Sequence, residues 1–327
     1  MELHESYRNI GLELVRVTEH TAIAASRWIG SGDYDGTHLA ADKAMLAALS
    51  MANIRGFIAI GEEKRVEGQA LLSGGQVIGT VEEAEVDLAV DPIDGTSLLI
   101  KGRPGAISVM GLAPRGALVS PLPARYMDKI VVDRQAAAAL VPECMDAPAA
   151  WTLALVARVK GKAVRDLSVI VLARARHEDL IQEIRATGAR IMLREEGDVV
   201  GALMAAMVGT GADLVMGIGG ASQGVLTACA VKALGGAMLA RLSPQSNQEL
   251  KEVEAAGLDL KRIYTCSDLV QSDDIYFAAT GITDSGLLSG IQIEGNYAHI
   301  HSLLLRAETG TRRFIHAERL LSHFGDY

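Results

Sequence analysis

The chain has 327 residues, 49% of them hydrophobic and only 4% aromatic, and a formal net charge of −9. The acidic balance, with no basic run longer than Arg312-Arg313, argues against a nucleic-acid-binding surface. No apolar run reaches transmembrane length, the N-terminus does not resemble a signal peptide, and three widely spaced cysteines suit a reducing compartment. We therefore predict a cytoplasmic protein that binds neither nucleic acid nor membrane. The cysteines are Cys144, Cys229 and Cys266.

Hydrophobic periodicity predicts helices first and strands after them. The predicted helices cover residues 2–30 and 39–52, and the strands lie near 57–61, 85–91, 106–112 and 129–133. Alanine and proline make 135–148 the predicted linker. Beyond it the pattern alternates: strand 167–173, helix 177–187, strand 189–194, helix 198–208, strand 213–218, helix 221–234, and a hairpin of 302–305 with 312–315. This βα rhythm predicts an α/β protein with a mixed or parallel sheet, divided into residues 1–148 and 149–327.

Two carboxylates, Asp91 and Asp94, follow an apolar run that is typical of a strand. Pro92 biases Asp91 toward extended backbone, and Gly95 permits a tight turn before Thr96. Both carboxylates can then converge at a strand end, where hard oxygen donors suit Mg²⁺ or Mn²⁺. The alternative is an acidic turn with a capping role.

A second acidic pair, Glu62 and Glu63, follows the apolar strand at residues 57–60. Strands of one sheet that each end in carboxylates can bring their oxygens to one point. Adjacent residues point in different directions, so only one of the pair is expected to be a direct ligand. A solvated charged loop is the alternative.

Three further features are candidates for anion binding or for structural roles. Arg174 and Arg176 alternate after an apolar strand, which in extended backbone predicts a fork for phosphate. Their alternative is surface charge. The run Gly217-Ile218-Gly219-Gly220 lies between a strand and a helix but lacks the G-x-G-x-x-G spacing, so a phosphate or sugar contact is favoured over a dinucleotide site, with a structural turn as the alternative. His177 is predicted to be structural or capping.

Several segments together resemble a known family. Ile60-Gly61-Glu62-Glu63 and Asp91-Pro92-Ile93-Asp94-Gly95-Thr96 are similar to motifs of the magnesium-dependent sugar and inositol phosphatases. Further segments narrow the resemblance to the bacterial class II fructose-1,6-bisphosphatases, over about residues 10–315. They are Arg16-Val17-Thr18-Glu19, Trp28-Ile29-Gly30, Tyr126-Met127-Asp128-Lys129, Arg174-Ala175-Arg176-His177, Gly197-Asp198-Val199, Met216-Gly217-Ile218-Gly219-Gly220-Ala221 and Ala279-Thr280-Gly281-Ile282-Thr283.

The resemblance implies a layered α/β/α/β/α sandwich with the active site between two sheets. The first half would bind metal and the second half substrate. The implied reaction is hydrolysis of the 1-phosphate of fructose 1,6-bisphosphate to fructose 6-phosphate and phosphate, a step of gluconeogenesis, with Mn²⁺ or Mg²⁺ as cofactor. A homo-oligomer, either a dimer or a tetramer, is also implied.

The resemblance also assigns roles to individual residues. Asp91 and Thr96 would be catalytic, with Thr96 hydrogen-bonded to a carboxylate and orienting the attacking water. The implied metal ligands include Glu62, Asp91 and Asp94. The implied substrate contacts are Asp94, Gly95, Thr96, Tyr126, Arg174, Ala175, Arg176, Glu196, Gly197, Asp198 and Gly220.

The chain departs from the family pattern at four positions. His38 replaces an aspartate ligand, Asp94 and Gln223 replace glutamate ligands, and Tyr34 replaces a lysine. A shorter carboxylate at Asp94 is what the inositol phosphatases use. Histidine suits Mn²⁺ better than Mg²⁺, and a glutamine offers only a neutral carbonyl.

The change at His38 has a candidate repair on the same predicted helix. Asp42 lies one turn from His38 and can supply the missing carboxylate, or Asp33 or Asp35 of the preceding loop can. A surface ion pair is the alternative for Asp42. His38, Asp42 and Gln223 are therefore included as candidate metal ligands.

The altered ligand positions leave other functions open. Sedoheptulose 1,7-bisphosphate or an inositol phosphate would suit the same metal site. A catalytically weakened paralogue that binds sugar phosphate is a further alternative.

Overall fold

The structure, a computed structural model, describes residues 10–52, 54–62, 71–78 and 85–323. Within them the α-helices are α1 (Ile10–Ser26), α2 (Tyr34–Met51), α3 (Thr96–Ile100), α4 (Ala149–Lys160), α5 (Glu178–Ala186), α6 (Asp198–Ala206), α7 (Ala221–Ala233), α8 (Asn247–Ala255) and α9 (Cys266–Leu269). The strands are β1 (Gly56–Ile60), β2 (Val77–Ile78), β3 (Val86–Asp94), β4 (Ile107–Pro114), β5 (Tyr126–Val132), β6 (Ser168–Leu172), β7 (Arg190–Arg194), β8 (Leu214–Gly220), β9 (Ala237–Leu242), β10 (Tyr264–Thr265), β11 (Tyr276–Gly281), β12 (Gln292–Glu294), β13 (Tyr297–Arg306) and β14 (Thr311–Leu320).

The chain forms two compact units, Met1–Leu118 with Ser272–Tyr327, and Val119–Gln271. This division differs from the predicted boundary at residue 148. The cause is long-range pairing: β11 aligns with β4, so the last strands of the chain complete the sheet that the first strands began. A domain boundary predicted from the order of elements along the sequence cannot show that the C-terminal segment returns to the first unit.

The first unit contains an eight-stranded sheet in the order β12-β13-β11-β4-β3-β1-β2, with β14 paired to β13. β1 and β3 are parallel, and the other pairs in this sheet are antiparallel. Helices α1 and α2 cover one face, where Leu14 and Met45 pack with Leu88 and Val90 of β3. Since successive strand residues point to opposite faces, Asp91 lies on the face away from these helices.

The second unit contains a six-stranded sheet in the order β10-β9-β5-β8-β6-β7. β6 is parallel to both β7 and β8, whereas β5 is antiparallel to both β8 and β9. On one face Leu153 of α4 and Ile184 of α5 pack against Ile130 of β5 and Val169 of β6. The α/β class with mixed sheets is thus confirmed.

The observed elements refine several predicted boundaries. The first predicted helix ends at Ser26, and its residues 2–9 lie outside the described part of the chain, as does Glu63. Helix α2 begins at Tyr34 rather than at residue 39 because the Asp33 side chain accepts a hydrogen bond from the Gly36 N–H at 2.9 Å. This capping role occupies Asp33, one of the alternative carboxylates, and Asp35 lies in the exposed first turn of the helix.

The predicted linker at 135–148 is not a linker between the two units. It contains short 3₁₀ turns at 137–139 and 142–145 and leads directly into α4. Within the part of the chain that the structure describes, no helix is both long enough and apolar enough to cross a membrane.

Candidate active site

A bulge in β3 brings Asp91 and Asp94 to the same face of the sheet. Asp91 is opposite Val109 and Asp94 is opposite Ile107, so three steps along β3 match two steps along β4. Residues that lie opposite each other in an antiparallel pair share a face, and Val109 and Ile107, two apart, share one as well. In a regular strand the two aspartates would point to opposite faces. The extra residue places both carboxylates on the face away from α1 and α2.

Glu62 follows the strand next to these aspartates. β1 runs parallel to β3 with Ile60 opposite Ala89, so Glu62 and Asp91 each stand two residues beyond a paired position. The Glu62 N–H donates to the Leu72 carbonyl at 2.9 Å, which fixes the backbone at this point. Glu62, the described residue of the predicted acidic pair, therefore lies just beyond the end of β1, beside the strand β3 that carries Asp91.

The first-unit acidic cluster, defined here as Glu62, Asp91, Asp94 and Thr96, is buried. All four residues are between 2% and 7% exposed. The three carboxylates have little access to water, and they offer hard oxygen donors and concentrated negative charge. This donor chemistry suits a divalent cation. In the conformation described, no three His, Cys, Asp or Glu side chains of the described residues form a group that could hold a metal.

Gly95 and Thr96 form the turn after the aspartates. Gly95 has a φ of +100°, and a Cβ there would approach the Gly105 carbonyl and the Ala106 Cα at 3.3 Å. The Thr96 hydroxyl donates to the Ile93 carbonyl at 3.2 Å, where a carboxylate partner was expected. Because that bond uses its only proton, the hydroxyl oxygen can act towards other groups only as an acceptor.

The segment that packs against Gly95 is held by a residue that the sequence patterns did not single out for the site. The Thr283 hydroxyl accepts hydrogen bonds from the N–H groups of Gly105 and Ala106, at 3.0 and 2.9 Å. Thr283 therefore supports the wall of the Asp94-Gly95 turn. The quoted segment at 279–283 contained it, but nothing in the local pattern predicted this contact.

The first helical turns of α2 lie near the Asp94-Gly95 segment. His38 is buried, and its ring centroid is 4.6 Å from that of Tyr34. Ala41, between His38 and Asp42, packs in one apolar cluster with Ile93, which separates the two aspartates. Helix α2 thus contacts the bulge from the face that the helices cover, whereas Asp91 and Asp94 lie on the opposite face, and ligation by His38 or Asp42 stays a prediction.

In the second unit, the arginine pair has a different shape from the one predicted. Arg174 is extended, but 175–177 form a 3₁₀ turn, so the expected extended fork over Ala175 is wrong. The Arg176 guanidinium folds back to donate to the Ile218 carbonyl at 2.9 Å and lies 5.1 Å from the Tyr126 ring. Arg174 Nη2 lies 3.4 Å from Glu196 Oε1. The Ile218 carbonyl therefore holds Arg176, and the Glu196 carboxylate holds Arg174.

Lys129 is a central residue of this region that is not among the predicted site residues. Its side chain is 1% exposed, forms an ion pair with Asp198 and donates to the Gly220 carbonyl at 3.1 Å. It thus joins two of the predicted substrate contacts. A lysine within the apolar strand β5 was the available signal, since a buried lysine needs a partner.

The glycine run serves close packing. A Cβ at Gly219 would lie 2.1 Å from an Asp198 carboxylate oxygen, and one at Gly220 would lie 1.9 Å from the Gln223 amide oxygen. The run ends β8 and leads into α7, as predicted. Glycine here allows Asp198 and Gln223 to lie directly against the backbone. Gly197, which precedes Asp198, has a φ of +85° and begins α6.

His177 is a structural residue, as predicted. Its Nε2 accepts from the Ile218 N–H at 2.7 Å, so Nδ1 carries the proton and donates to the Leu172 carbonyl at 2.7 Å. Burial lowers the pKa of the imidazole below its usual 6.5. The neutral ring therefore links the end of β6 to β8 beside Arg176.

We expect this ring to make stability depend on pH. The folded pKa is depressed, so the contribution is complete above pH 6.5 and is lost as the pH falls below that value. In His177→Gln, which keeps a donor and an acceptor but does not titrate, the free energy of unfolding should fall less between pH 7 and 5, by up to about 1.4 kcal/mol per pH unit. Urea unfolding of both proteins measures this, and parallel pH profiles would contradict it.

None of the three cysteines offers a reactive thiol. Burial raises the pKa of both Cys229 and Cys266 to about 12, and Cys144 is buried as well. Thiolate attack is therefore not the chemistry of this site.

The sequence profile of the family described as bacterial fructose-1,6-bisphosphatase, glpX-encoded, matches residues 8–319. The chain belongs to this family of metal-dependent phosphatases. The extent of the match confirms the resemblance drawn from the motifs.

Curated relatives agree with this assignment. The chain is 35% identical to proteins of two Synechococcus strains named D-fructose 1,6-bisphosphatase class 2/sedoheptulose 1,7-bisphosphatase, over 94% of both chains. It is 35% identical to the fructose-1,6-bisphosphatase class 2 of Haemophilus influenzae, over 94% of this chain and 95% of the relative. A solved structure, the extragenic suppressor protein suhB of Bartonella henselae, is 13% identical with a TM-score of 0.35, covering 60% of this chain and 72% of that one.

Proposed function

We propose that this protein is a sugar bisphosphatase that hydrolyses the 1-phosphate of fructose 1,6-bisphosphate, giving fructose 6-phosphate and phosphate. Membership of the family and the names of its relatives support the reaction class. The single structural observation that carries the proposal is the β3 bulge, which sets Asp91 and Asp94 on one face beside the strand that ends at Glu62.

The proposed metal ligands are Glu62, Asp91 and Asp94, with His38, Asp42 and Gln223 as further candidates. A divalent cation held there would supply positive charge to the phosphate oxygens and lower the pKa of water. We propose Mn²⁺ or Mg²⁺, because carboxylate oxygens suit both and an imidazole from His38 would favour Mn²⁺.

The chain's own groups have separate proposed roles. Thr96, whose proton is held by the Ile93 carbonyl, would accept a hydrogen bond from the attacking water and orient it. Tyr126, Arg174 and Arg176 would bind the phosphate that is not cleaved. The backbone of Ala175 and Gly197 would contact the substrate beside these side chains. Gly95, which has no side chain, would let the scissile phosphate approach the backbone closely.

The sugar hydroxyls are the proposed partners of Glu196 and Asp198, with Gly220 offering a backbone contact. Lys129 supports this role, because it holds Asp198 and the Gly220 carbonyl at once. The acidic groups are each paired with a cation from this unit, as Arg174 lies beside Glu196. They are therefore held in place before substrate arrives.

Sedoheptulose 1,7-bisphosphate is the second candidate substrate, because the Synechococcus relatives carry that activity in their name. A phosphate-release assay with both bisphosphates, an inositol monophosphate and fructose 6-phosphate, under Mg²⁺ and under Mn²⁺, tests the proposal. We expect the highest kcat/KM with fructose 1,6-bisphosphate. Equal or greater values with the inositol phosphate would contradict it, and binding without turnover would identify a weakened paralogue.

The metal assignment predicts the effect of Gln223→Glu. If Gln223 is one of the metal ligands, a carboxylate at this position adds one negative charge beside the cation. The half-saturating concentration of Mg²⁺ or Mn²⁺ should therefore fall about tenfold, equivalent to roughly 1.4 kcal/mol. The measurement is metal activation of phosphate release at fixed pH and saturating substrate.

Gln245→Glu is the matched control for this variant, because Gln245 is an exposed glutamine of the same unit whose amide contacts Ser243. It should leave metal activation unchanged. Superimposable metal titrations for wild type and Gln223→Glu would remove Gln223 from the proposed ligands.

The location and the assembly of the enzyme are also proposals. We propose a cytoplasmic homo-oligomer, a dimer or a tetramer, that acts on small-molecule sugar phosphates. The composition and charge of the chain support this setting.

A further inference from the structure

β14 is a ten-residue strand at an edge of the eight-stranded sheet. Among the described residues it pairs with β13 alone, from Arg306 opposite Thr311 to Tyr297 opposite Leu320. A long strand of this kind presents a row of backbone N–H and C=O groups to which another strand can add. Natural proteins shorten, cover, charge or pair such edges, so the described edge of β14 is a place where a partner strand can add.

The two faces of β14 differ. Ile315 and Ala317 point toward the apolar core of the first unit. The opposite face carries a cation, two aromatic rings and an anion in the order Arg312, Phe314, His316 and Glu318. All four are exposed.

The exposed rings are already ordered. His316 stacks on His301 of β13 with 4.0 Å between ring centroids, and Phe314 lies 5.7 Å from His301. The Arg312 guanidinium lies 5.8 Å from the Phe314 ring, and Glu318 lies 3.5 Å from His299. Phe314 nevertheless remains 42% exposed, which is a large fraction for an aromatic side chain in a sheet. The face is preformed for contact with another surface.

The order of these residues is complementary to itself. If two copies of β14 pair in antiparallel fashion with Ile315 opposite Ile315, each Arg312 faces a Glu318 and each Phe314 faces a His316. In the same register Arg313 faces Ala317. Opposite-charge and aromatic cross-strand pairs both stabilise a sheet.

Neighbouring registers lose this complementarity. A slip by one residue sets the core-facing side chains of one copy opposite the exposed side chains of the other, so only shifts by two residues keep both faces. With His316 opposite His316, Arg312 meets Leu320 and Arg313 meets Arg319, a like-charge pair. With Phe314 opposite Phe314, Arg312 meets His316 and Glu318 meets Gly310, so no Arg–Glu pair forms. The charge pattern therefore selects the Ile315-centred register.

We propose that β14 pairs with β14 of a second copy of this chain in the Ile315-centred register, forming an isologous dimer across a two-fold axis. Two Arg312–Glu318 ion pairs and two Phe314–His316 contacts would flank that axis. The proposal uses no residue of the candidate active site, so it stands independently of the proposed reaction.

A charge exchange tests the register. Arg312→Glu and Glu318→Arg each set like charges opposite one another at two symmetric places, and each should weaken the dimer at least about tenfold. The double variant Arg312→Glu/Glu318→Arg restores opposite charges and should return the dissociation constant to within about threefold of wild type. Sedimentation velocity over a dilution series measures these constants, and far-UV circular dichroism verifies that each variant is folded.

Arg313→Glu is the control, since it makes the same change in net charge as Arg312→Glu but faces Ala317. It should leave the assembly unchanged. A monomeric wild type, a double variant as weak as the single ones, or dissociation caused by Arg313→Glu rather than Arg312→Glu would each overturn the proposal.

Discussion

Replacing Asp91 by Asn is expected to reduce kcat for fructose 1,6-bisphosphate by at least about a thousandfold while leaving the fold intact. The substitution keeps the size of the side chain and removes one of the three buried charges proposed to hold the cation. Loss of cation charge at the phosphate removes stabilisation that is greatest in the transition state. Because burying an amide costs less than burying a carboxylate, the melting temperature should stay the same or rise. Phosphate release and thermal unfolding measure the two effects.

Asp87→Asn is a matched control on the same strand and the same face. Asp87 is fully buried, accepts a hydrogen bond from Arg115 at 2.7 Å and another from the Leu118 N–H at 3.1 Å. This change should cost about 1–3 kcal/mol of stability and leave kcat near wild type. The two variants should therefore show opposite patterns. Near-normal turnover in Asp91→Asn would remove Asp91 from the catalytic machinery.

Lys129→Met should have the second large effect, on stability and on substrate affinity together. The substitution removes the cation that holds Asp198 and leaves that carboxylate in a buried setting. Breaking a buried ion pair from one side costs about 3–5 kcal/mol. If Asp198 holds a sugar hydroxyl, its displacement should also raise KM. Denaturant unfolding and steady-state kinetics report the two quantities.

The neutral pair Lys129→Met/Asp198→Asn should recover part of the lost stability, since no unpaired charge remains, but not the KM. Lys160→Met supplies the control. Lys160 is another buried lysine of the same unit, bound to Asp133 at 2.7 Å and to Asp213 at 2.9 Å. It should lose stability without a change in KM. A KM that rises equally in both lysine variants would mean that Lys129 acts on the fold alone.

The sequence predicted the parts of the site that depend on local order. The carboxylates Glu62, Asp91 and Asp94 could be identified because each follows an apolar run. The structure places Asp94 at the end of β3, Asp91 three residues before it and Glu62 two residues beyond β1. The glycine turn before Thr96 follows from the permissive backbone of Gly95. Strands β5 to β8 and helices α5 to α7 of the second unit were predicted for the same reason, since each has a regular hydrophobic period, whereas α4, α8, α9, β9 and β10 were not predicted.

The sequence could not predict contacts that depend on distant segments. Lys129 and Asp198 are 69 residues apart, and the sequence of β5 does not indicate which carboxylate pairs with its lysine. The β3 bulge depends on the alignment of two strands, which a single strand does not reveal. Arg176 was expected in extended backbone, but its hydrogen bond to the Ile218 carbonyl of β8 accompanies a 3₁₀ turn instead.

A cation-dependent site of this chain is proposed to remove one particular phosphate from a sugar bisphosphate. Phosphorus-31 NMR of fructose 1,6-bisphosphate with the chelator-treated protein, before and after addition of Mg²⁺ or Mn²⁺, tests it most directly. We predict no turnover without added cation, followed by loss of the 1-phosphate signal with the 6-phosphate signal retained. Equal turnover in the presence of chelator, or loss of the 6-phosphate first, would contradict the account.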